Sequence, residues 1–169
     1  MAFIRIKSIQ NKHYAYLVKN IWSKRKKYSK QKVVSYLGPL TTLERVKTSS
    51  IDLDYSQYSS KTIYKKLLAQ ELLDHGFEKK RFAYEKDNIK VNFSHKAVTK
   101  NEKPVVLELN EGFLCTYTLT KLYNYRPKHL NPKEEGLRYA NLLLQAGLRL
   151  NQQTFIELFN KVYNLKKDN

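Results

Sequence analysis

The stretch FIRIKSIQNKHYAYLVKNIW, residues 3–22, decides the fold of the N-terminal part of the chain, because apolar and polar side chains alternate along it. Ile4 and Ile6 would point to one face of a β-strand, while Arg5 and Lys7 point to the other. This alternation is typical of a strand that is buried on one side only. We therefore expect a sheet with one apolar face and one face that carries cations.

The same pattern predicts three strands. The alternation of residues 3–7 resumes at 14–22, and the segment between them includes Asn11, which tolerates the positive φ of a tight hairpin turn. A third alternating segment is KVVSYLG at 32–38, and its last residue forms a Gly38-Pro39 pair that would end the sheet. The sequence predicts a three-stranded antiparallel β-meander.

The remainder of the chain predicts helices and hairpins. Thr41 and Glu44 have the capping-box spacing of a short helix, LERVK, and residues 61–75 carry an apolar stripe at helical spacing. Alternating segments around a turn at Asp87-Asn88 indicate β-hairpins. Three further helices are expected near 113–124, 133–147 and 151–165. The predicted fold class is α+β: a meander with a short helix, then a helix, β-hairpins and a C-terminal helical group.

We divide the chain into three segments. Residues 1–47 would form a basic β-meander module that binds nucleic acid, residues 48–60 a connection, and residues 61–169 an α+β scaffold or partner-binding module. A three-stranded sheet with one apolar face needs a partner layer. The helix at 61–75 is expected to supply it.

Positive charge is concentrated at the N-terminus. The formal net charge is +17, and the first forty residues contain ten Lys or Arg but no Asp or Glu; the first acid is Glu44. A surface that serves solubility alone normally mixes both signs. Polyanions are therefore the expected partners, with nucleic acid ahead of an anionic membrane surface.

Several kinds of site are not expected. Cys115 is the only cysteine, so no intramolecular disulfide can form, and the four histidines show no metal-ligand spacing. We therefore predict no metal and no cofactor. We also predict no membrane partner, because no apolar stretch approaches the ~18 residues of a membrane span. The expected location is the cytoplasm, in association with the nucleoid or the ribosome.

The candidate nucleic-acid-binding residues follow from the cations and from one aromatic residue. They are Arg5, Lys7, Lys19, Lys24, Arg25, Lys26, Lys27, Tyr28, Lys30 and Lys32. Lysines of a loop would contact phosphates, and a sheet or ribbon can enter the major groove of DNA. Arg5 would contact guanine, or else pack its stem on Tyr16. Tyr28 would stack on bases, whereas Tyr14, Tyr16 and Trp22 are expected to pack in the core and the sheet.

Catalysis is not expected. A metal-dependent nuclease would need carboxylates such as Asp87, Glu108 and Glu111 to gather at one site. Alternation places Glu108 opposite Leu107 and Leu109, so a solvated strand face explains it without chemistry. We assign no catalytic residue, and the nuclease remains the alternative.

Residues 3–40 resemble the N-terminal segment of DDE-type insertion-sequence transposases. The matching residues are Ile4, Arg5, Tyr14, Tyr16, Leu17, Gln31, Tyr36, Leu37 and Gly38. In that family the segment belongs to the DNA-binding portion, and a catalytic domain with three carboxylates follows it. These 169 residues do not include that domain. The resemblance therefore implies DNA binding and does not extend to strand transfer.

The sequence thus predicts a non-catalytic, basic nucleic-acid-binding protein. DNA is preferred because of the resemblance. The alternatives are an RNA-binding factor that docks on structured or ribosomal RNA, and an adaptor whose basic face meets an acidic protein.

Overall fold

The computed structural model describes residues 2–23, 27–49, 57–128 and 131–164, and its elements confirm the α+β class. The strands within these residues are β1 (Ala2–Ile9), β2 (Lys12–Ser23), β3 (Tyr28–Thr42), β4 (Glu78–Lys79), β5 (Tyr84–Lys86), β6 (Ile89–Asn92), β7 (Ala97–Lys100), β8 (Lys103–Pro104), β9 (Val106–Leu109) and β10 (Gly112–Leu114). The helices are α1 (Ser60–Asp74), α2 (Thr116–Tyr123), α3 (Pro132–Gln145) and α4 (Gln152–Asn164).

The predicted three-stranded meander is confirmed as part of a larger sheet with the order β1-β2-β3-β9-β10. The two strand pairs of the meander, β1 with β2 and β2 with β3, are antiparallel. Gln10 and Asn11 form the first turn, with φ of 49° and 59°. The second sheet, β4-β5-β6-β7-β8, is antiparallel throughout. Its turn at Asp87 and Asn88 has φ of 46° and 64°, which confirms the predicted hairpin.

The predicted end of the first sheet at Gly38 and Pro39 is wrong. β3 continues beyond them and pairs in parallel with β9, with Leu40 opposite Val106. Gly38 has a φ of 131°, and a Cβ at this position would lie 2.5 Å from the Pro104 carbonyl oxygen. Glycine is the residue that tolerates this backbone and this approach. It therefore allows β3 to pass from β2 to β9 instead of ending the strand.

The predicted short helix LERVK, 43–47, is also wrong, because no helix forms in this described segment. The Leu43 amide donates to the Glu108 carbonyl at 2.9 Å, and the Val46 amide donates to the Asp74 carbonyl at 2.8 Å. In a helix the Val46 amide would donate to the Thr42 carbonyl four residues before it, and here it donates to a carbonyl of α1 instead.

A cluster of charged and polar side chains joins segment 43–47 to α1, and we call this group of side chains the Arg45 cluster. The Arg45 guanidinium contacts Glu71 at 2.5 Å, Asp74 at 2.9 Å and the Asn110 side chain at 3.0 Å. The Asp74 side chain is 2% exposed. Burial by itself raises the pKa of the Asp74 carboxyl, but hydrogen bonds, including one from the Ser49 amide, and the charge of Arg45 outweigh it and lower the pKa.

The apolar face of the meander lies on a small core of its own. Its fully or nearly fully buried members are Ala15, Val106 and Cys115. Partly buried residues packed against them are Ile4, Ile6, Leu37, Leu40, Phe113 and Tyr117. The expectation that helix 61–75 covers this face is therefore wrong. The parallel pairing of β3 with β9 brings β9, β10 and the start of α2 to the meander, while α1 packs in the larger core.

The four helices predicted outside the N-terminal segment are present. The expected ranges were 61–75, 113–124, 133–147 and 151–165, and they correspond to α1, α2, α3 and α4. α2 begins at Thr116, later than expected, because Gly112–Leu114 forms β10 before it. No helix in the described ranges is long and apolar enough to cross a membrane.

Candidate nucleic-acid interface

The end of the β2–β3 hairpin extends beyond β1 as a two-stranded structure. Ala2, the first described residue of β1, pairs with Lys19, and from there on β2 pairs only with β3 among the described residues. We call residues 19–23 and 27–32 the ribbon. Every side chain that the structure describes in the ribbon is exposed. The predicted contacts at its tip, Lys24, Arg25 and Lys26, lie outside the described residues.

One face of the ribbon carries lysines, and we call it the lysine face. Lys19 lies directly opposite Lys32, Ile21 lies opposite Lys30, and Tyr28 is on the same face. None of these lysines forms an ion pair with a residue that the structure describes. Like charges directly opposite each other destabilise a strand pair. A bound polyanion would remove this repulsion.

The opposite face of the meander combines cations with tyrosines, and we call it the tyrosine face. The Tyr16 and Tyr36 ring centroids are 5.3 Å apart, and those of Tyr14 and Tyr36 are 6.3 Å apart. The Lys7 Nζ lies 5.0 Å from the Tyr16 centroid, and Arg5 lies opposite Tyr16 across the strand pair. Tyr14 and Tyr16 thus pack within the sheet as predicted, but they do so at the surface and not in the core.

The tyrosine face continues onto the ribbon through Asn20 and Trp22. The Arg5 guanidinium donates a hydrogen bond to the side-chain oxygen of Gln31, which lies opposite Asn20. Trp22 is 62% exposed, so the prediction that it packs in the core is wrong. The segment of β3 that pairs with the strand around Trp22 is YSKQK, residues 28–32. It contains no aliphatic residue, and this absence in the sequence indicates an exposed strand.

Two irregularities in β3 set which residues share these faces. The register shifts between Ala15 and Tyr16 and again between Leu17 and Val18, and at each place β3 has one more residue than β2. Such β-bulges bend a strand and change which of its side chains point to a given face. They place Tyr36 opposite Tyr16 on the tyrosine face.

The candidate residues therefore lie on two faces and not on one surface. Those on the tyrosine face are Arg5 and Lys7, and those on the lysine face are Lys19, Tyr28, Lys30 and Lys32. Lys27 is exposed near the tip, with a φ of 51°. The two groups of candidate residues point to opposite sides of the strands, so one duplex cannot lie against both faces. Of the candidate cations assigned to a face, three are on the lysine face and two are on the tyrosine face.

The carboxylates considered for a nuclease do not gather. Glu108 accepts a hydrogen bond from the Thr42 hydroxyl at 2.7 Å and so joins β9 to β3. Glu111 and Asp87 are exposed in separate turns. Within the described part of the chain, no group of three or more His, Cys, Asp or Glu is arranged to hold a metal ion. Glu108 thus has a structural contact that accounts for its position.

Comparison of the chain with protein-family models, with curated protein sequences and with solved structures found no significant match in any of the three. The resemblance of residues 3–40 to a transposase segment therefore stays a prediction that rests on the residues quoted for it. The fold and the exposed ribbon are the basis for a functional proposal.

Proposed function

We propose that this protein binds nucleic acid without catalysing a reaction on it, and that duplex DNA is the preferred form. The lysine face carries the proposal: Lys19 lies opposite Lys32, next to Lys30, with no described acid paired to any of them. Each lysine that neutralises a phosphate releases counterions from the nucleic acid, which provides binding free energy that depends on salt.

The shape of the ribbon favours duplex DNA. A two-stranded β-ribbon fits the major groove of B-form DNA, whereas the major groove of A-form RNA is too deep and narrow for side chains to read. The ribbon places Lys19, Lys30 and Lys32 on one face, where their ammonium groups can contact the phosphates that border such a groove. The transposase resemblance points in the same direction.

RNA is the second candidate because of two exposed aromatic residues. Trp22 and Tyr28 are 62% and 46% exposed on opposite faces of the ribbon. Single-stranded RNA is often bound by stacking of unpaired bases on such rings. In either case the segment 61–169 would act as a scaffold or as a module for a protein partner. A cytoplasmic location with the nucleoid or the ribosome follows from the same proposal.

The test compares three polyanions at matched salt. Fluorescence anisotropy would measure binding of the full chain to labelled duplex DNA, to a labelled RNA hairpin and to polyglutamate. We expect the highest affinity for the DNA, with an affinity that falls linearly on a log–log plot against salt. A preference for the RNA hairpin would favour the RNA-binding factor. Equal affinity for polyglutamate would contradict a nucleic-acid function and favour the acidic-protein adaptor.

A further inference from the structure

A groove of about 540 Å³ lies between α2 and α3. One wall is a helical stripe of α2 with the spacing i, i+3, i+4 and i+7. The residues of this stripe are Tyr117, Thr120, Lys121 and Asn124. The other wall is a stripe of α3 with the same spacing, and its polar residues are Arg138, Asn141 and Gln145. The groove is thus built by the faces that two neighbouring helices turn to each other.

The groove is positively charged. Its lining includes Lys121, Lys128 and Arg138 but no acidic residue. Arg138 is balanced by Glu135, whose carboxylate lies 3.0 Å away and whose side chain is fully buried. Lys121 and Lys128 form no ion pair with a described residue, although the charge of Lys128 acts on the Glu135 carboxylate, which also accepts a hydrogen bond from the Lys128 backbone amide. The three cations beside one carboxylate leave a net charge of +2 for an anion in the groove.

Aromatic and amide groups accompany these cations. Tyr117 and Tyr125 both line the groove, and the Lys121 Nζ lies 5.2 Å from the Tyr117 ring centroid. Asn141 is exposed and Gln145 is half-buried, and the side-chain amide of each offers donors and an acceptor. A nucleotide presents the matching set of groups: a phosphate, a flat base and polar base edges.

The groove adjoins the lysine face through Ala2. Ala2 lines the groove and pairs directly with Lys19. Directly opposite residues share a face, so Ala2 is on the face that carries Lys19 and Lys32. A polyanion on the lysine face would therefore pass the mouth of the groove without having to cross the sheet.

We infer that the groove binds an unpaired nucleotide of the nucleic acid that the lysine face holds. Its phosphate would contact Lys121 and Lys128, and its base would lie against Tyr117 with its edge toward Asn141 and Gln145. This inference rests on the proposed function and specifies the substrate. The preferred ligand would be a duplex with a single-stranded end, and not a fully paired duplex.

The experiment compares a blunt duplex with the same duplex carrying a short single-stranded overhang. Wild-type protein should bind the overhang duplex about tenfold more tightly, which is the size of one stacked base with its phosphate contact. The variant Lys121→Gln with Lys128→Gln should lose this preference and keep the affinity of wild type for the blunt duplex. The matched control, Lys61→Gln with Lys65→Gln, removes two exposed lysines of α1 and should keep the preference.

A crosslinking arm adds a readout that does not depend on a variant. An iodouracil in the overhang should crosslink to Tyr117 or Tyr125 on irradiation. Equal affinity of wild type for both duplexes, a preference that survives in the groove variant, or crosslinks confined to Trp22 or Tyr28 would overturn the inference while leaving the proposed function intact. If wild type binds neither duplex, the proposed function is wrong and the inference falls with it.

Discussion

Replacing Lys19, Lys30 and Lys32 together by glutamine should lower the affinity for duplex DNA by about a hundredfold in about 0.1 M salt. Each lost phosphate contact removes one counterion-release contribution, so the slope of log K against log salt should become less steep by about 3. The melting temperature should stay the same or rise slightly, because the change removes the repulsion between Lys19 and Lys32. Anisotropy titrations across a salt series and a thermal melt measure both effects.

The control must remove the same net charge from another part of the surface. Lys61, Lys65 and Lys79 are exposed on α1 and β4, and their triple replacement by glutamine changes the net charge equally. A general loss of positive charge would weaken binding in both variants alike. Equal weakening would contradict a specific role for the lysine face, whereas a loss restricted to the ribbon variant would support it.

Replacing Arg45 by methionine should destabilise the fold by about 3 kcal/mol, because it leaves two buried carboxylates without their cation. Asp74 is 2% exposed and Glu71 is 12% exposed, while Arg45 itself is 25% exposed. For a chain of this length, such a loss lowers the melting temperature on the order of 10 °C. Urea unfolding should show a lower midpoint with an unchanged m-value.

Two further variants separate this cause from a general effect of losing an arginine. Arg149 is exposed near the same cluster and forms no ion pair with a described residue, so Arg149→Met should change stability little. Adding Asp74→Asn and Glu71→Gln to the Arg45→Met variant should recover part of the lost stability, since the buried charges are then removed. Equal, small effects of both arginine variants would contradict this account of the cluster.

The meander was predictable because its signals are local. Alternation between Ile4 and Arg5 and a turn residue at Asn11 act over a few residues, and both are visible in the sequence. The pairing of Leu40 with Val106 is not visible, because it joins segments far apart in the chain. The Gly38-Pro39 pair therefore predicted the end of β3 at the place where β3 changes its partner from β2 to β9.

The candidate site was predictable in composition but not in arrangement. The excess of cations identified Lys19 and Lys32, yet their direct opposition depends on the register of the β2–β3 hairpin. The relation of this register to the rest of the meander depends on the two bulges of β3, which local alternation does not reveal. The groove depends on how α2 packs on α3. The sequence pattern around Lys121 alone indicates an amphipathic helix and does not indicate the groove. The arrangement of this surface comes from pairing and packing across the chain.

The central claim is that the lysine face of the ribbon contacts nucleic acid, and a tryptophan on that face tests it most directly. Trp22 is the only tryptophan of the chain and lies on the opposite face of the ribbon, so the variant Trp22→Phe with Tyr28→Trp moves the only tryptophan to the lysine face. Both positions are exposed, so the fold should be unchanged. When duplex DNA is added and anisotropy confirms binding, we expect the tryptophan emission of this variant to be quenched and its access to acrylamide to fall, with both changes reversed by high salt. Bound DNA with unchanged emission and unchanged acrylamide quenching would contradict the claim.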